Sequence, residues 1–308
     1  MPTKRFLLIC LLAGLSLHTI AQTPELAETD RISYDLYQRA SWKELLSYGK
    51  EELKAGHDFD LLRLRLGYAA FMLGRYSESL KQYDALLKRD HANQTAHYYS
   101  WLCRTYLNQP EQAGYHVTYF PAEWMKEGNH KKLALTSVGV EYSHKSTDQL
   151  RRADASYGRF DLFNRWTHNV HMQQALGFFQ QTINEPTLPN VVQNKSNIDI
   201  GQKEYYNKLT LNLDRHWQVK AAYHFVYTPF NNLIYYNNLG MLGLQYNGNY
   251  VNWQVDAVVG QVTDTLQQQY NLSATYYPLG NLNVYGISTL MLRNRNGASG
   301  LNVKQVIG

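Results

Sequence analysis

The chain has 308 residues, a formal net charge of +5 and a mean hydropathy of -0.47, with 25 Tyr against 10 Phe. That is enough for two domains and far too polar for a bundle of membrane helices. It does not exclude a β-barrel, in which every second strand residue faces the lumen. Beyond residue 220 the only Asp, Glu, Lys or Arg residues are Asp256, Asp264, Arg293, Arg295 and Lys304. A soluble surface carries more charge than this, and no basic patch for nucleic acid forms.

Residues 1–21 have the pattern of a secretory leader. Lys4 and Arg5 precede an apolar run over 6–17 that is too short to span a bilayer, and Thr19-Ile20-Ala21 offers a cleavage site before Gln22. Cys10 lies in the middle of that run, so no lipid anchor is expected. Cys103 is then the lone cysteine; with Trp101, Leu102 and Tyr106 around it, it reads as a core thiol.

Residues 22–131 form the first domain, which is helical. Ile32, Leu36 and Tyr37, then Trp42, Leu45, Leu46 and Leu53, recur at helical spacing, and Gly56 supplies a stop. The stretch 62–93 is the most specific. Leu66-Gly67 is a small-residue crossing, Ala70 follows one turn later, Gly74 makes a turn, and Tyr76 and Tyr83 open and fill a second helix. These residues resemble a tetratricopeptide repeat, departing from its usual pattern at Ser79 and at His91 in the closing Asp-His-Ala-Asn. Helices over 41–56, 96–106 and 110–117 extend the array to about three units, roughly what a solenoid needs. The exposed contacts expected on such a module are Arg63, Arg65, Lys81, Tyr98 and Tyr99. Residues 120–129, with Pro121 and Gly128, read as a hinge; Trp124 there packs on the last helix or sits at a membrane interface.

Residues 132–308 form the second domain. Over 218–228, Val219, Ala221, Tyr223, Phe225 and Tyr227 share one face, opposite Gln218, Lys220, Ala222, His224 and Thr228, with Val226 the one intruder. This period-two run is long enough for a tilted strand to cross a bilayer, which takes about nine to eleven residues. Ten such strands are expected, at 132–145, 153–166, 169–184, 200–216, 217–229, 234–247, 250–263, 268–278, 282–294 and 300–308. Tight turns are expected at Thr167-His168-Asn169, Asn247-Gly248-Asn249 and Leu279-Gly280-Asn281, alternating with longer connections such as 185–198. The fold class is therefore α + β multidomain: a helical solenoid followed by an antiparallel transmembrane β-barrel. The ending at Val306-Ile307-Gly308 lacks the terminal aromatic usual in bacterial barrels, which predicts C-terminal truncation of a barrel with about twelve or more strands, a closed ten-stranded barrel being the alternative.

No Gly-rich phosphate loop, CxxC, HExxH or nucleophile elbow occurs, so no catalytic residue, metal or cofactor is predicted. His168 and His171 flank a turn, His216 and His224 sit in adjacent strands, and Glu141 with Asp161 is the one acid pair that an outer-membrane hydrolase could use. The main reading of the charged strand residues is a lumen network of Glu141, Arg159, Asp161, Arg165, Lys208, Asp214 and Lys220.

With its leader, the 62–93 repeat, the 135–142 first strand and the second strand over 154–163 with Tyr157-Gly158-Arg159, the mature chain resembles YaiO-like outer-membrane β-barrel proteins with N-terminal tetratricopeptide repeats. The resemblance implies a Gram-negative outer-membrane location, lipid around the barrel and the repeats in the periplasm. The expected function is transport or export of a polysaccharide or small solute, with the repeats docking a periplasmic protein or peptide. The alternative is a non-conducting anchor whose repeats scaffold envelope assembly; an outer-membrane enzyme is the third reading.

Overall fold

The computed structural model describes residues 24–147, 152–184, 197–230, 233–295 and 298–307. The leader at 1–21 and nearly all of the connection at 185–198 lie outside them. Seven helices come first: α1 Pro24–Gln38, α2 Trp42–Ala55, α3 Asp60–Met72, α4 Tyr76–Leu87, α5 Gln94–Tyr106, α6 Pro110–Val117 and α7 Ala122–Glu127. Their ends follow local chemistry. Gly56 (φ 97°) and Gly74 (φ 69°) take left-handed conformations that let α2 and α3 stop and turn back. The Asn93 side chain accepts the Ala96 N–H at the start of α5, and Pro110 opens α6 where its missing N–H costs nothing.

Consecutive helices from α1 to α6 pack as stacked hairpins, and α1 also touches α3, as α3 touches α5. The odd helices thus line one side. Leu45, Leu46, Leu62, Leu66, Ala69 and Ala70 make one buried cluster, and Leu80, Cys103, Leu107 and Tyr277 another. The crossing of α3 and α4 requires a glycine: a Cβ on Gly67 would lie 2.6 Å from the Tyr83 ring. Ser79 Oγ donates to the Gly67 carbonyl at 2.8 Å, a bond across the same crossing. Segment 120–129, expected as a hinge, forms α7, and Trp124 packs on Tyr98 and Phe120.

Ten strands follow: β1 Ala134–Lys145, β2 Arg152–Thr167, β3 Val170–Asn184, β4 Asn197–Asn212, β5 Trp217–Phe230, β6 Leu233–Asn247, β7 Val251–Val262, β8 Thr265–Tyr276, β9 Gly286–Arg295 and β10 Ala298–Ile307. They form one antiparallel sheet in sequence order. Among the described residues no ladder joins β1 to β10. The sheet is strongly curled, because Thr136 of β1, Gln218 of β5 and Thr275 of β8 line a single cavity.

Register keeps the two faces distinct. Gln218 pairs with Gln245, Gln245 with Gln254 and Gln254 with Ser273, so polar residues run along the concave face. The convex face is apolar and open: Leu176, Leu211, Tyr223, Leu242, Leu244, Trp253, Val255, Leu272 and Leu301 are all exposed. Soluble monomers rarely expose an apolar patch beyond roughly 300–600 Å². Val226, which interrupts the alternation in sequence, lies on the inner face opposite Glu204 and is buried.

Two connections differ from expectation. β4 ends at Asn212 rather than 216, because Asp214 Oδ1 accepts the N–H groups of His216 and Trp217 and folds 213–216 into a turn. The β8–β9 connection is not a tight turn but runs from 277 to 285, and it reaches into the helices. The far end of the sheet also holds short connections; Thr263 and Asp264 turn the chain between β7 and β8 with φ of 48° and 59°.

Candidate functional site

The four connections on one end of the sheet (168–169, 213–216, 248–250 and 277–285) meet the helices. Arg104 of α5 is 1% exposed; its guanidinium donates to the Asn247 and Gly248 carbonyls at 3.2 Å each and to Gln109 Oε1 at 2.7 Å. α6 lies against three of the connections. Gln112 Nε2 donates to the Asp214 carbonyl at 3.0 Å and its Oε1 accepts from Asn247 Nδ2 at 3.0 Å. Asn212 Nδ2 donates to the Glu111 carbonyl at 2.7 Å. Gly114 abuts the β2–β3 turn so closely that a Cβ would sit 2.2 Å from the His168 carbonyl oxygen. α4 completes the dock: Ser77 N–H donates to the Gly280 carbonyl at 3.0 Å, and Arg215 donates to the Leu87 carbonyl at 3.2 Å while facing Asp84 at 3.7 Å. Buried polar groups are costly unless paired, so this network fixes one pose of the helices on the sheet.

A histidine pair lies behind α6. His97 Nε2 donates to the His91 carbonyl at 2.9 Å, which leaves Nδ1 of the neutral ring as an acceptor for His116 Nδ1–H, also at 2.9 Å. Tyr119 stacks on His97 at 3.9 Å and bonds His91 at 3.2 Å. Burial lowers the pKa of both rings, His116 well below the ordinary histidine value; the charges of Arg104, Arg215 and His216 add to its shift.

Between α6 and the inner face of the sheet is a polar cavity of about 610 Å³. Gln109, Glu111 and Gln112 form its helical wall, and Arg165, His171, Gln218, Lys220, Gln245, Asn247 and Asn252 its sheet wall. A second cavity, of about 510 Å³, lies between α5 and α7, lined by Thr95, Tyr98, Tyr99, Trp101, Phe120, Trp124, Glu127, Gly128 and His130.

The predicted lumen residues do not form one ladder. Arg159 binds Asp161 at 2.8 Å, Gln173 adds a bond to Asp161 at 3.0 Å, and Glu141 pairs with Arg159 across β1 and β2. Asp161 is thereby neutralised by Arg159 rather than poised beside Glu141. Lys208 faces Glu111 at 3.8 Å, and Lys220 donates to Gln245 and Gln254, so both line the space under α6. Arg165 donates to the Lys131 carbonyl where the helical segment enters β1. Asp214 stands apart, as the cap of the β4–β5 turn.

On the module, Arg63 is bound by Asp58 at 2.8 Å and by Gln82, and Arg65 by Asp30 at 2.7 Å and by Ser33. Both are structural ion pairs rather than open contacts, while Lys81 is exposed. Tyr98 and Tyr99 line the α5–α7 cavity.

His171 Nε2 donates to the His168 carbonyl, His216 Nδ1 to the Asn247 carbonyl, and His224 faces Glu204 at 3.2 Å. Among the described residues no three His, Cys, Asp or Glu side chains are grouped to hold a metal ion. Burial raises the Cys103 thiol pKa to about 12. Sequence reasoning missed Arg104, Gln112, Asn247 and Tyr277, whose partners lie over a hundred residues away. Comparison with protein-family models and with curated proteins finds no match to this chain.

Proposed function

We propose that this chain is an outer-membrane β-barrel protein with a tetratricopeptide-type periplasmic module, and that it works in transport or export of a polymer or solute. One observation carries the reading: an apolar convex face open along the whole sheet, backed by a polar concave face that leads to a polar cavity under the docked module. Lipid takes the place of water on such a convex face. Bilayers leave no backbone group unpaired, so β1 and β10 close on each other, directly or through further strands. The dock then puts the module at the lumen mouth, with α6 as its cover.

A non-conducting anchor is the second reading. The complete burial of Arg104 and Asn247 favours it, because a module held in one pose seals the mouth. Single-channel conductance in a planar bilayer separates the two. The full chain is compared with a variant lacking 23–131 and with Arg104→Met, which weakens the dock. Steady conductance that rises in both variants supports a gated pore. No conductance from any folded, heat-modifiable sample overturns the transport reading and leaves the anchor.

A further inference from the structure

The odd-numbered helices carry a continuous line of rings. Tyr37 of α1 touches Tyr68 of α3, Tyr68 touches Tyr99 of α5, Tyr99 touches Tyr98, and Tyr98 touches both Trp101 and Trp124 of α7, with centroids 5.3 to 5.8 Å apart. All six are half-buried, and the line ends in the α5–α7 cavity. Three features of that cavity define its ligand. Glu127 is the one Asp, Glu, Lys or Arg residue in its lining, so no Lys or Arg is there to hold an anionic ligand, and its carboxylate repels one. Ring faces dominate, so the ligand presents flat C–H surfaces to them; the negative face of an aromatic ring attracts such partially positive hydrogens. The hydroxyls of Tyr98 and Tyr99 and the indole N–H groups of Trp101 and Trp124 have no hydrogen-bond partner among the described residues, so four polar handles remain for ligand oxygens.

We propose that the α5–α7 cavity and its line of rings bind a neutral glycan chain. A pyranose ring offers what the cavity asks for, a C–H face to stack and hydroxyls at its edge. A peptide fits less well: an extended main chain is held through its amides, and the lining has no Asn or Gln to hold them. The inference rests on the export reading for the glycan's destination, but the binding does not depend on it.

The test is a titration of the full chain in detergent micelles, read by tryptophan fluorescence, with β-1,4-linked glucose and N-acetylglucosamine oligomers of one to six units. A neutral proline-rich peptide serves as competitor. Binding that strengthens with oligomer length, and that Trp124→Ala and Trp101→Ala each weaken at least tenfold, is the expected result. Tyr98→Phe keeps the ring and loses only the hydroxyl; a severalfold loss there, with an unchanged helical circular-dichroism signal, separates ligand contact from damage to the fold. Oligomers that do not bind, or a peptide that binds while oligomers fail to displace it, would overturn the inference. Conductance on the same preparation keeps the two readings apart: binding without conductance removes the transport reading alone, and conductance without binding removes this one alone.

Discussion

Asn212 and Val255 both belong to alternating strands, yet a lysine at each meets a different environment. Val255 is 56% exposed on the convex face, mid-strand. Val255→Lys should cost about 2–4 kcal/mol in a bilayer, and Leu211→Lys, next to the strand end, about 0–1. Alternation alone makes Asn212 a tolerant lumen position. Instead it is 4% exposed and bonded to Glu111 and Gln218, so Asn212→Lys should disturb the dock, whereas Asn271→Lys on the inner face should be mild. Denaturant titration in lipid vesicles measures all four; equal tolerance at Val255 and Asn271 would remove the lipid-facing assignment. The histidine pair adds a pH dependence. The folded pKa of His97 and His116 is depressed, so the unfolded chain takes up protons first as pH falls below its ordinary value of about 6.5. Stability of the helical module is therefore complete above that value and lost as pH falls, by up to about 1.4 kcal/mol per pH unit for each ring. His91, Asp90, Arg104, Arg215 and His216 act on the pair through the charges already counted in the shifts. Denaturant melts at pH 7 and pH 5 should differ accordingly, and His116→Leu should flatten the slope.

Most strands declare themselves through period two, while over 153–166 and 282–294 both faces mix and the strands are legible from their place between turns. With the helical spacing and glycine stops of the first domain, ten strands and six of the seven helices are legible along the chain. α7 is not, because six residues flanked by Pro121 and Gly128 leave too little periodicity. The β4 boundary was obscured because Leu209, Leu211 and Leu213 keep alternating into a turn that Asp214 closes. Arg63 and Arg65 read as free cations because Asp58 and Asp30 pair with them only once the helices stack. Nor was the 277–285 excursion legible, since its purpose lies in the module: Tyr277 is 6% exposed between Leu80, Cys103 and Leu107. Gly114 is a sharper case, an ordinary helix glycine in sequence whose missing Cβ lets α6 touch the β2–β3 turn. Gly114→Ala gains helix propensity but forces a gap there, and overpacking of this kind costs about 1–3 kcal/mol. Amide exchange should show α6 opening more readily in that variant while the strand amides stay protected; unchanged exchange would mean that the turn gives way instead.

Module and sheet are coupled through contacts that are far apart in sequence and buried together. Arg104 is the clearest coupling point, since it belongs to α5, is fully enclosed and ends on two carbonyls of the β6–β7 turn. Replacing it by Met fills similar space without restoring the donors: the Gly248 carbonyl is left without one at about 1–3 kcal/mol, while the Asn247 carbonyl keeps the His216 Nδ1–H. A dock worth that much makes the two halves unfold together, because neither can open without exposing the other's buried polar groups. In the native chain, loss of the helical circular-dichroism signal and loss of the heat-modifiable compact form should therefore coincide along one denaturant titration. In Arg104→Met the helical transition should move to lower denaturant and separate from that of the sheet, while the sheet midpoint shifts little. Asn247→Ala removes the other side of the same network, through Gln112 and Gln218. The double variant should be less destabilised than the sum of the two singles, by roughly 0.5–3 kcal/mol, as for residues in one network. Additive effects with coincident transitions in every variant would mean that the module is held by its apolar contacts around Tyr277 and that the polar dock only sets its orientation.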